Sequence, residues 1–336
     1  MRVPCYSVYT SEGIAPQGKD RVTMTCLTRL VAASSGAAVV LAASAAAAQE
    51  QTPTAEPDGK DACMEILAHR GASGYLPEHT LPAYALAYGQ GAGWIEPDVV
   101  LSADGVAIAL HDVTLDRTTN VAELYPDRAR ADGRHYAADF TYAEIERLRV
   151  VEALPDRYPH RTFRVPRLAE VLELVDGLNR ITGRGVGIYP ELKSPGIQPD
   201  LARTLLAELA GYEWPIRVQS FDAEALAALD TELPRVQLIA RPDQLTPAGL
   251  NRIATYAIGI GVPKELVFQD SAVVGQAHDR GLEVHAYTLR ADRLDAAFDS
   301  LAGEVAALME AGVDAVFTDH PDQVLALVAR SCATAR

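Results

Sequence analysis

Residues 66–112 read ILAHRGASGYLPEHTLPAYALAYGQGAGWIEPDVVLSADGVAIALHD. The apolar run ending at His69 predicts a strand over 65–69, and a helical pattern over 81–91 leads to a second strand over 94–99. Strand, helix, strand is the repeating unit of a parallel α/β sheet. The stretch then departs from that unit. Val106–His111 reads as another strand, separated from the second by only Ser102-Ala103-Asp104-Gly105. So short a connection forces antiparallel pairing, because a parallel return needs a crossover. The stretch therefore closes on a hairpin whose rising arm carries Glu96 and Asp98 and whose descending arm ends at His111.

The alternation resumes downstream. Strands are expected near 186–191, 216–220, 235–240, 257–262, 282–288 and 314–318. Helices are expected over 199–211, 222–231, 246–256, 264–280, 293–311 and 321–331. Eight strand-then-helix units predict an α/β fold of the TIM-type (β/α)8 barrel class over 63–332, with the hairpin strand as an addition. Segment 113–165 interrupts the pattern. It is polar, carries Arg117, Arg128, Arg130 and Arg134 with several tyrosines, and holds one expected helix near 141–149. Such excursions leave the C-terminal ends of barrel strands, so this one is expected to cover the active-site face.

The chain has 336 residues and a formal net charge of −15, which argues against a nucleic-acid or anionic-membrane partner. An anionic substrate must be captured by local positive charge. Leu30–Ala48 (LVAASSGAAVVLAASAAAA) follows Arg29 and ends in an A-x-A pattern, the form of an export signal cleaved after Ala48. Export from Met24 gives a conventional signal length, leaving 1–23 as an over-extended start. The expectation is a periplasmic or secreted protein without a stable membrane anchor, led by a flexible segment over 49–62. Cys5 and Cys26 precede the cleavage site. Cys63 and Cys332 flank the barrel at the same end; in an oxidising compartment they can bridge, and otherwise they are two unpaired thiols.

The candidate chemistry lies at strand ends. Glu96 and Asp98 are two apart, so they share a face, and two carboxylates facing a barrel interior repel unless a cation sits between them. Glu191 ends another strand in IYPELK. Three carboxylates from two strands suit a hard divalent ion. His69 and His111 reach the same rim and can act as general acid and base. Arg70 and Lys193 can hold a phosphate and neutralise its developing charge. Glu78, in LPEHT, either pairs with Arg70 or sits favourably at a helix start whose N-cap is Thr80; His79 is a substrate contact or a loop residue. His285 and Tyr287 alternate on one strand and read as substrate contacts lining the alcohol pocket, the alternative being that they only fill the barrel; Phe221 has the same two readings. Asp319 either orients a neighbour or caps the last helix. His135, His160, His278 and His320 read as surface or packing residues.

HRGASGYLPEHT, IEPDVVLSADG, ALHD, YPELK, VHAYTLR and VFTDHPD, in that order over about 66–325, resemble the glycerophosphodiester phosphodiesterase family. PEHT, the long insertion and the export signal are similar to its periplasmic bacterial branch. The resemblance implies a TIM-type barrel that hydrolyses glycerophosphodiesters to glycerol 3-phosphate and an alcohol such as choline, ethanolamine or glycerol, with Ca²⁺ or a similar divalent ion such as Mg²⁺. It implies His69 and His111 as the acid–base pair, Glu96, Asp98 and Glu191 as metal ligands, and Arg70 and Lys193 as phosphate contacts. Tyr287 stands where many relatives carry Trp. Two other readings share the same residues: a barrel phospholipase of C or D type, and a protein that binds a phosphodiester without cleaving it.

Overall fold

The computed structural model describes residues 63–151, 158 and 163–334. The expected signal and lead-in (1–62) and His160 lie outside the described residues. The strands are β1 (Glu65–His69), β2 (Trp94–Glu96), β3 (Asp98–Leu101), β4 (Ala107–Ala109), β5 (Gly187–Ile188), β6 (Glu191–Leu192), β7 (Val218–Ser220), β8 (Arg235–Leu238), β9 (Gly259–Pro263), β10 (Glu283–Leu289) and β11 (Ala315–Thr318).

The eight expected parallel strands are all present, but two of them are split by proline. Pro97 separates β2 from β3, and Pro190 separates β5 from β6. Proline has no N–H to give to a ladder, so the strand is interrupted there. The carbonyls still work: Pro97 accepts from Glu191 N at 2.9 Å and Pro190 from Gln219 N at 3.0 Å. With each split pair counted as one strand, parallel pairing runs β1, β2/β3, β5/β6, β7, β8, β9, β10, β11 and back to β1. That ring is a closed barrel. β4 pairs antiparallel with β3, Val99 opposite Ala109, so the hairpin forms as expected.

Alternation along the strands stacks the barrel interior in layers. Leu67, Trp94, Tyr189, Ala315 and Phe317 pack together inside it. Two residues further along their strands stand His69, Glu96, Glu191 and Asp319. The period of two thus raises a polar rim on an apolar floor. Residues of opposite parity, such as Ile66, Ala68, Ile95, Ile188 and Val316, pack outward under the helices.

The helices differ from expectation in three places. The longest helix, Leu168–Thr182, falls where the sequence reading left a gap between insertion and strand. Its buried Leu168, Val171, Leu172, Val175 and Asn179 keep helical spacing, so the signal was present. The expected 264–280 helix is two, Lys264–Gln269 and Ala272–His278. Only Leu301–Glu310 of 293–311 is helical, because Ser300 caps it by accepting from Gly303 N at 3.2 Å.

The insertion is polar outside but has a core of its own. Leu115, Val121, Ala137, Phe140, Ile145 and Leu148 bury themselves against Val100, Ile108 and Leu110 of the hairpin. The hairpin is therefore the insertion's foundation as well as the carrier of His111. At the opposite end of the barrel Cys63 and Cys332 are joined by a disulfide with their Cα atoms 6.3 Å apart, tying the segment before β1 to the last helix, Pro321–Thr334.

Candidate active site

Glu96, Asp98 and Glu191 are buried at the C-terminal end of the ring, each offering an oxygen within 4.8 Å of the others. Register sets Asp98 beside Glu191 and Glu191 beside Gln219, while Glu96, in register with His69, stands two residues before Asp98. Their cationic neighbours number two. Lys193 Nζ is 2.9 Å from Glu191 Oε1 and 3.5 Å from Asp98 Oδ1. Arg70 Nε is 3.3 Å from Asp98 Oδ2, and the Arg70 backbone N–H donates to Glu96 Oε2 at 2.8 Å. Three ionised carboxylates would carry more negative charge than these two cations cancel. Burial, with Asp98 and Glu191 beside it, holds the Glu96 carboxyl well above the usual range. Burial and Asp98 push Glu191 up to about 8 despite Lys193. For Asp98, burial is outweighed by Lys193, the His79 hydrogen bond and Arg70, and its pKa is depressed. A divalent cation fits this donor set: it would replace the protons that Glu96 and Glu191 otherwise retain. These three carboxylates are the residues that could hold it.

Each rim histidine is held the same way. His69 Nδ1 lies 2.7 Å from Asp319 Oδ1, and Arg290 Nη1 lies 2.9 Å from Asp319 Oδ2. His111 Nδ1 is bonded to Asp112 Oδ1, and Arg117 Nε donates to Asp112 Oδ2 at 2.6 Å. An ionised carboxylate only accepts, so Nδ1 carries a proton in both rings and leaves Nε2 facing the cavity as the site of proton exchange. Both histidines line a cavity of about 210 Å³ with Arg70, Glu96, Glu191, Lys193 and Gln219. Burial and Arg70 lower the His69 pKa against the pull of Asp319. His69 is therefore neutral at pH 7.

A second linkage joins the two stations. Arg117 donates to Glu78 Oε1 at 2.6 Å and Oε2 at 3.1 Å, and Arg70 Nη1 donates to Glu78 Oε2 at 3.2 Å. Burial notwithstanding, Arg117 and Arg70 hold Glu78 down to about 2. Glu78 thus ties the Arg70 loop to the insertion. The three non-glycine residues in the left-handed region among the described residues, Arg70 (φ 57°), His79 (φ 56°) and Ser194 (φ 48°), are all in or beside this site. Such backbone costs about 1–3 kcal/mol each and persists where the surroundings over-determine it. Gly71 follows at φ 85°; a Cβ there would meet the Ala83 carbonyl carbon at 2.8 Å, so only glycine lets the Arg70 loop lie on the helix Leu81–Gly89.

The structure brings together His69, Arg70, Glu96, His111, Glu191, Lys193 and Tyr287 on one cavity, with Phe221, Leu238 and Phe317 as its apolar walls. Asp98 lies beneath them. His285 does not join them, which corrects its placement as a substrate contact. It is fully buried in the barrel floor, with Nδ1 2.8 Å from Tyr189 Oη and Nε2 3.0 Å from Glu283 Oε2. It sits one layer below Tyr287. His79 is neither a substrate contact nor a simple loop residue: it is buried, with Nε2 2.8 Å from Asp98 Oδ2 and Nδ1 2.7 Å from Tyr84 Oη. Asp319 orients His69. Sequence reasoning also passed over Gln219, which donates from Nε2 to Glu96 Oε1 at 3.1 Å. Its position two residues beyond Arg217 on a barrel strand was the available signal.

Residues 69–323 match the glycerophosphoryl diester phosphodiesterase family. The chain belongs to that family. A glycerophosphodiester phosphodiesterase of Haemophilus influenzae is 35% identical over 76% of this chain and 87% of its own length. One of Treponema pallidum is 31% identical over 76% and 89%. Among solved structures, an Oleispira antarctica phosphodiesterase in complex with the product sn-glycerol-3-phosphate superposes with a TM-score of 0.64 at 26% identity, covering 80% of this chain and 97% of that one. Members of this family form TIM barrels, and the closed ring described above is one. The chain is accordingly a glycerophosphodiester phosphodiesterase by family, with a buried acidic triad able to hold a metal.

Proposed function

We propose that the protein hydrolyses glycerophosphodiesters such as glycerophosphocholine to glycerol 3-phosphate and an alcohol, in a metal-dependent reaction with His69 and His111 as acid and base. The observation that carries this reading is the convergence of two carboxylate-held imidazoles on a buried, charge-unbalanced carboxylate triad beside Arg70 and Lys193. Glu96, Asp98 and Glu191 would hold the cation, which would neutralise phosphate charge and polarise the phosphorus–oxygen bonds. Arg70 and Lys193 hold the phosphoryl oxygens. One histidine accepts a proton at Nε2 from the attacking hydroxyl as the new P–O bond forms. The other, protonated, gives its Nε2 proton to the alcohol oxygen as the old bond breaks. Asp319 and Asp112 fix the ring orientations and stabilise each imidazolium. Tyr287 and Phe221 wall the substrate, and Glu78 holds Arg70.

The all-oxygen donor set suits a hard cation; we infer Ca²⁺, with Mg²⁺ the competing ion. Periplasmic or secreted location follows from the signal-like run ending at Ala48, and the Cys63–Cys332 disulfide suits an oxidising compartment. No helix among the described residues is long and apolar enough to cross a membrane. The test is release of glycerol 3-phosphate from glycerophosphocholine by protein starting at Gln49, with Ca²⁺, with Mg²⁺ and with chelator. Turnover abolished by chelator and restored by a divalent ion is expected. Absence of turnover with every ion would refute the reading.

A further inference from the structure

Among the described residues, the amide oxygen Oε1 of Gln219 is a buried side-chain atom without a hydrogen-bond partner. The residue is 1% exposed and lines the same cavity as His69, His111 and Lys193. A buried acceptor left unpaired is costly, so such an atom is expected to meet a donor that arrives with a ligand. Its placement is built: Gln219 is in register with Glu191 across β6 and β7, and its other amide atom, Nε2, is fixed on Glu96 Oε1 at 3.1 Å. That bond turns Oε1 away from Glu96. With a cation bound and Glu96 ionised, flipping the amide would set two acceptors against each other.

The cavity's other polar groups leave a particular vacancy for chemistry. Arg70 and Lys193 are donors suited to phosphoryl oxygens. The carboxylates are acceptors committed to a cation and to Lys193. Gln219 Oε1 is a neutral acceptor, and a neutral acceptor next to a phosphate site reads a hydroxyl. The walls beside it, Phe221, Leu238, Phe317 and Tyr287, are carbon surface suited to a short aliphatic backbone. We propose that Gln219 is a specificity-determining residue that accepts a hydrogen bond from a hydroxyl of the glycerol moiety, so that the site distinguishes a glycerol phosphate from an alkyl phosphate of the same length. This deepens the glycerophosphodiesterase reading and rests on it for the identity of the ligand.

The experiment compares sn-glycerol 3-phosphate with n-propyl phosphate, which lacks both hydroxyls and cannot react, by calorimetric titration into Ca²⁺-loaded protein. Wild type is expected to bind the glycerol compound on the order of 10- to 100-fold more tightly, the range for one satisfied against one unsatisfied buried acceptor. In Gln219→Met, which keeps the volume and removes the acceptor, the two affinities are expected to converge through weaker glycerol 3-phosphate binding, with propyl phosphate little changed. Because the substitution also removes the Nε2 bond to Glu96, both ligands are titrated at saturating Ca²⁺, and Ca²⁺ affinity titrated alone is expected to fall by no more than about 10- to 100-fold. Gln219→Leu is the second variant if the first does not fold. A preference that survives both substitutions overturns the proposal. So does an equal loss for both ligands, which would make Gln219 only a support for Glu96. Abolished Ca²⁺ binding, beyond the about 10- to 100-fold that loss of an outer-sphere partner costs, would overturn the proposal by making Oε1 a metal ligand. Wild-type turnover of glycerophosphocholine, measured in parallel, separates the two levels: turnover without discrimination removes only the role of Gln219, and discrimination without turnover removes only the reaction.

Discussion

The two ends of the barrel contain the same kinds of residue and use them oppositely. At the N-terminal end, Arg217 pairs with Glu65 and with Glu283 Oε2 at 3.4 Å, its guanidinium 4.4 Å from the Trp94 ring centre. Glu283 also meets His285 at 3.0 Å, and His278 meets Asp314 at 2.9 Å. There each carboxylate has a cationic or imidazole partner, and Glu283 is held below its usual pKa chiefly by His285. At the C-terminal end of the barrel, Glu96 and Glu191 are pushed well above theirs. Balanced charge holds a structure together. Charge left unbalanced in a buried site is a standing demand for a ligand, which is why perturbed groups mark functional sites. Histidines, carboxylates and arginines alone do not tell the two ends apart; their bookkeeping of charge does.

Deleting a group at the C-terminal end has the largest expected effect. His69→Ala is expected to lower kcat by about 10²- to 10⁴-fold, the usual worth of general acid–base catalysis, while Ca²⁺ titration stays at the wild-type affinity. Glu96→Gln is expected to lose metal binding and turnover together. Near-normal turnover in the first, or retained metal affinity in the second, would mean the rim is assigned wrongly.

At the other end, opening the disulfide with Cys63→Ser and Cys332→Ser together should cost about 2–4 kcal/mol in denaturant unfolding, by relaxing the constraint on the unfolded chain. The metal affinity of the folded double variant should be unchanged. A loss of metal with it would show that the ends are coupled.

Glu191 gives a test whose sign differs from that of ordinary acidic residues. Its folded value of about 8 lies above the unperturbed 4.5. The folded state therefore holds a proton that the unfolded state releases, and this contribution, complete below 4.5, is lost as pH rises through about 8. Chelated protein should melt lower at pH 9 than at pH 6. Ca²⁺ should stabilise it most at the upper end of that window. Glu191→Gln should flatten the chelated profile and raise its melting temperature at pH 9, which differential scanning fluorimetry reads directly. A chelated melting temperature that rises from pH 6 to 9 would show the triad is balanced without metal.

How much of this was legible follows from which physical rule each feature obeys. The ring of strands, the hairpin and the triad rest on periodicity and on the shortness of the 102–105 turn, and these are local. Asp319 beside His69 needs a partner 250 residues away in sequence, brought in by closure of β11 on β1. His79 was ambiguous because its left-handed backbone, which turns the ring inward onto Asp98, leaves no mark in the residue type. His285 was misplaced because alternation identifies a face and not a depth: His285 and Tyr287 both point inward, but only Tyr287 reaches the cavity. The helix over 168–182 had its apolar stripe, but it starts at Arg167 without a capping side chain of the usual kind.

The smallest effect is the sharpest test of what separates the ends. Arg217 is mostly buried, and its pairs with Glu65 and Glu283 are partly open to solvent, so the ion pairs contribute little individually. Its packing on Trp94 adds on the order of 0.5–1 kcal/mol. Arg217→Ala is therefore expected to cost about 1–2 kcal/mol in all, read as a lower denaturant midpoint with unchanged slope. It should leave kcat, KM and metal affinity at wild-type values, because the floor of Leu67, Trp94, Tyr189 and Phe317 stands between it and the triad. Arg217 immediately precedes β7 and is only two residues from Gln219, so an electrostatic effect passing along the chain would appear as weaker metal binding. A variant less stable yet equally active would show that one strand carries a structural charge and a functional amide with an apolar layer insulating them.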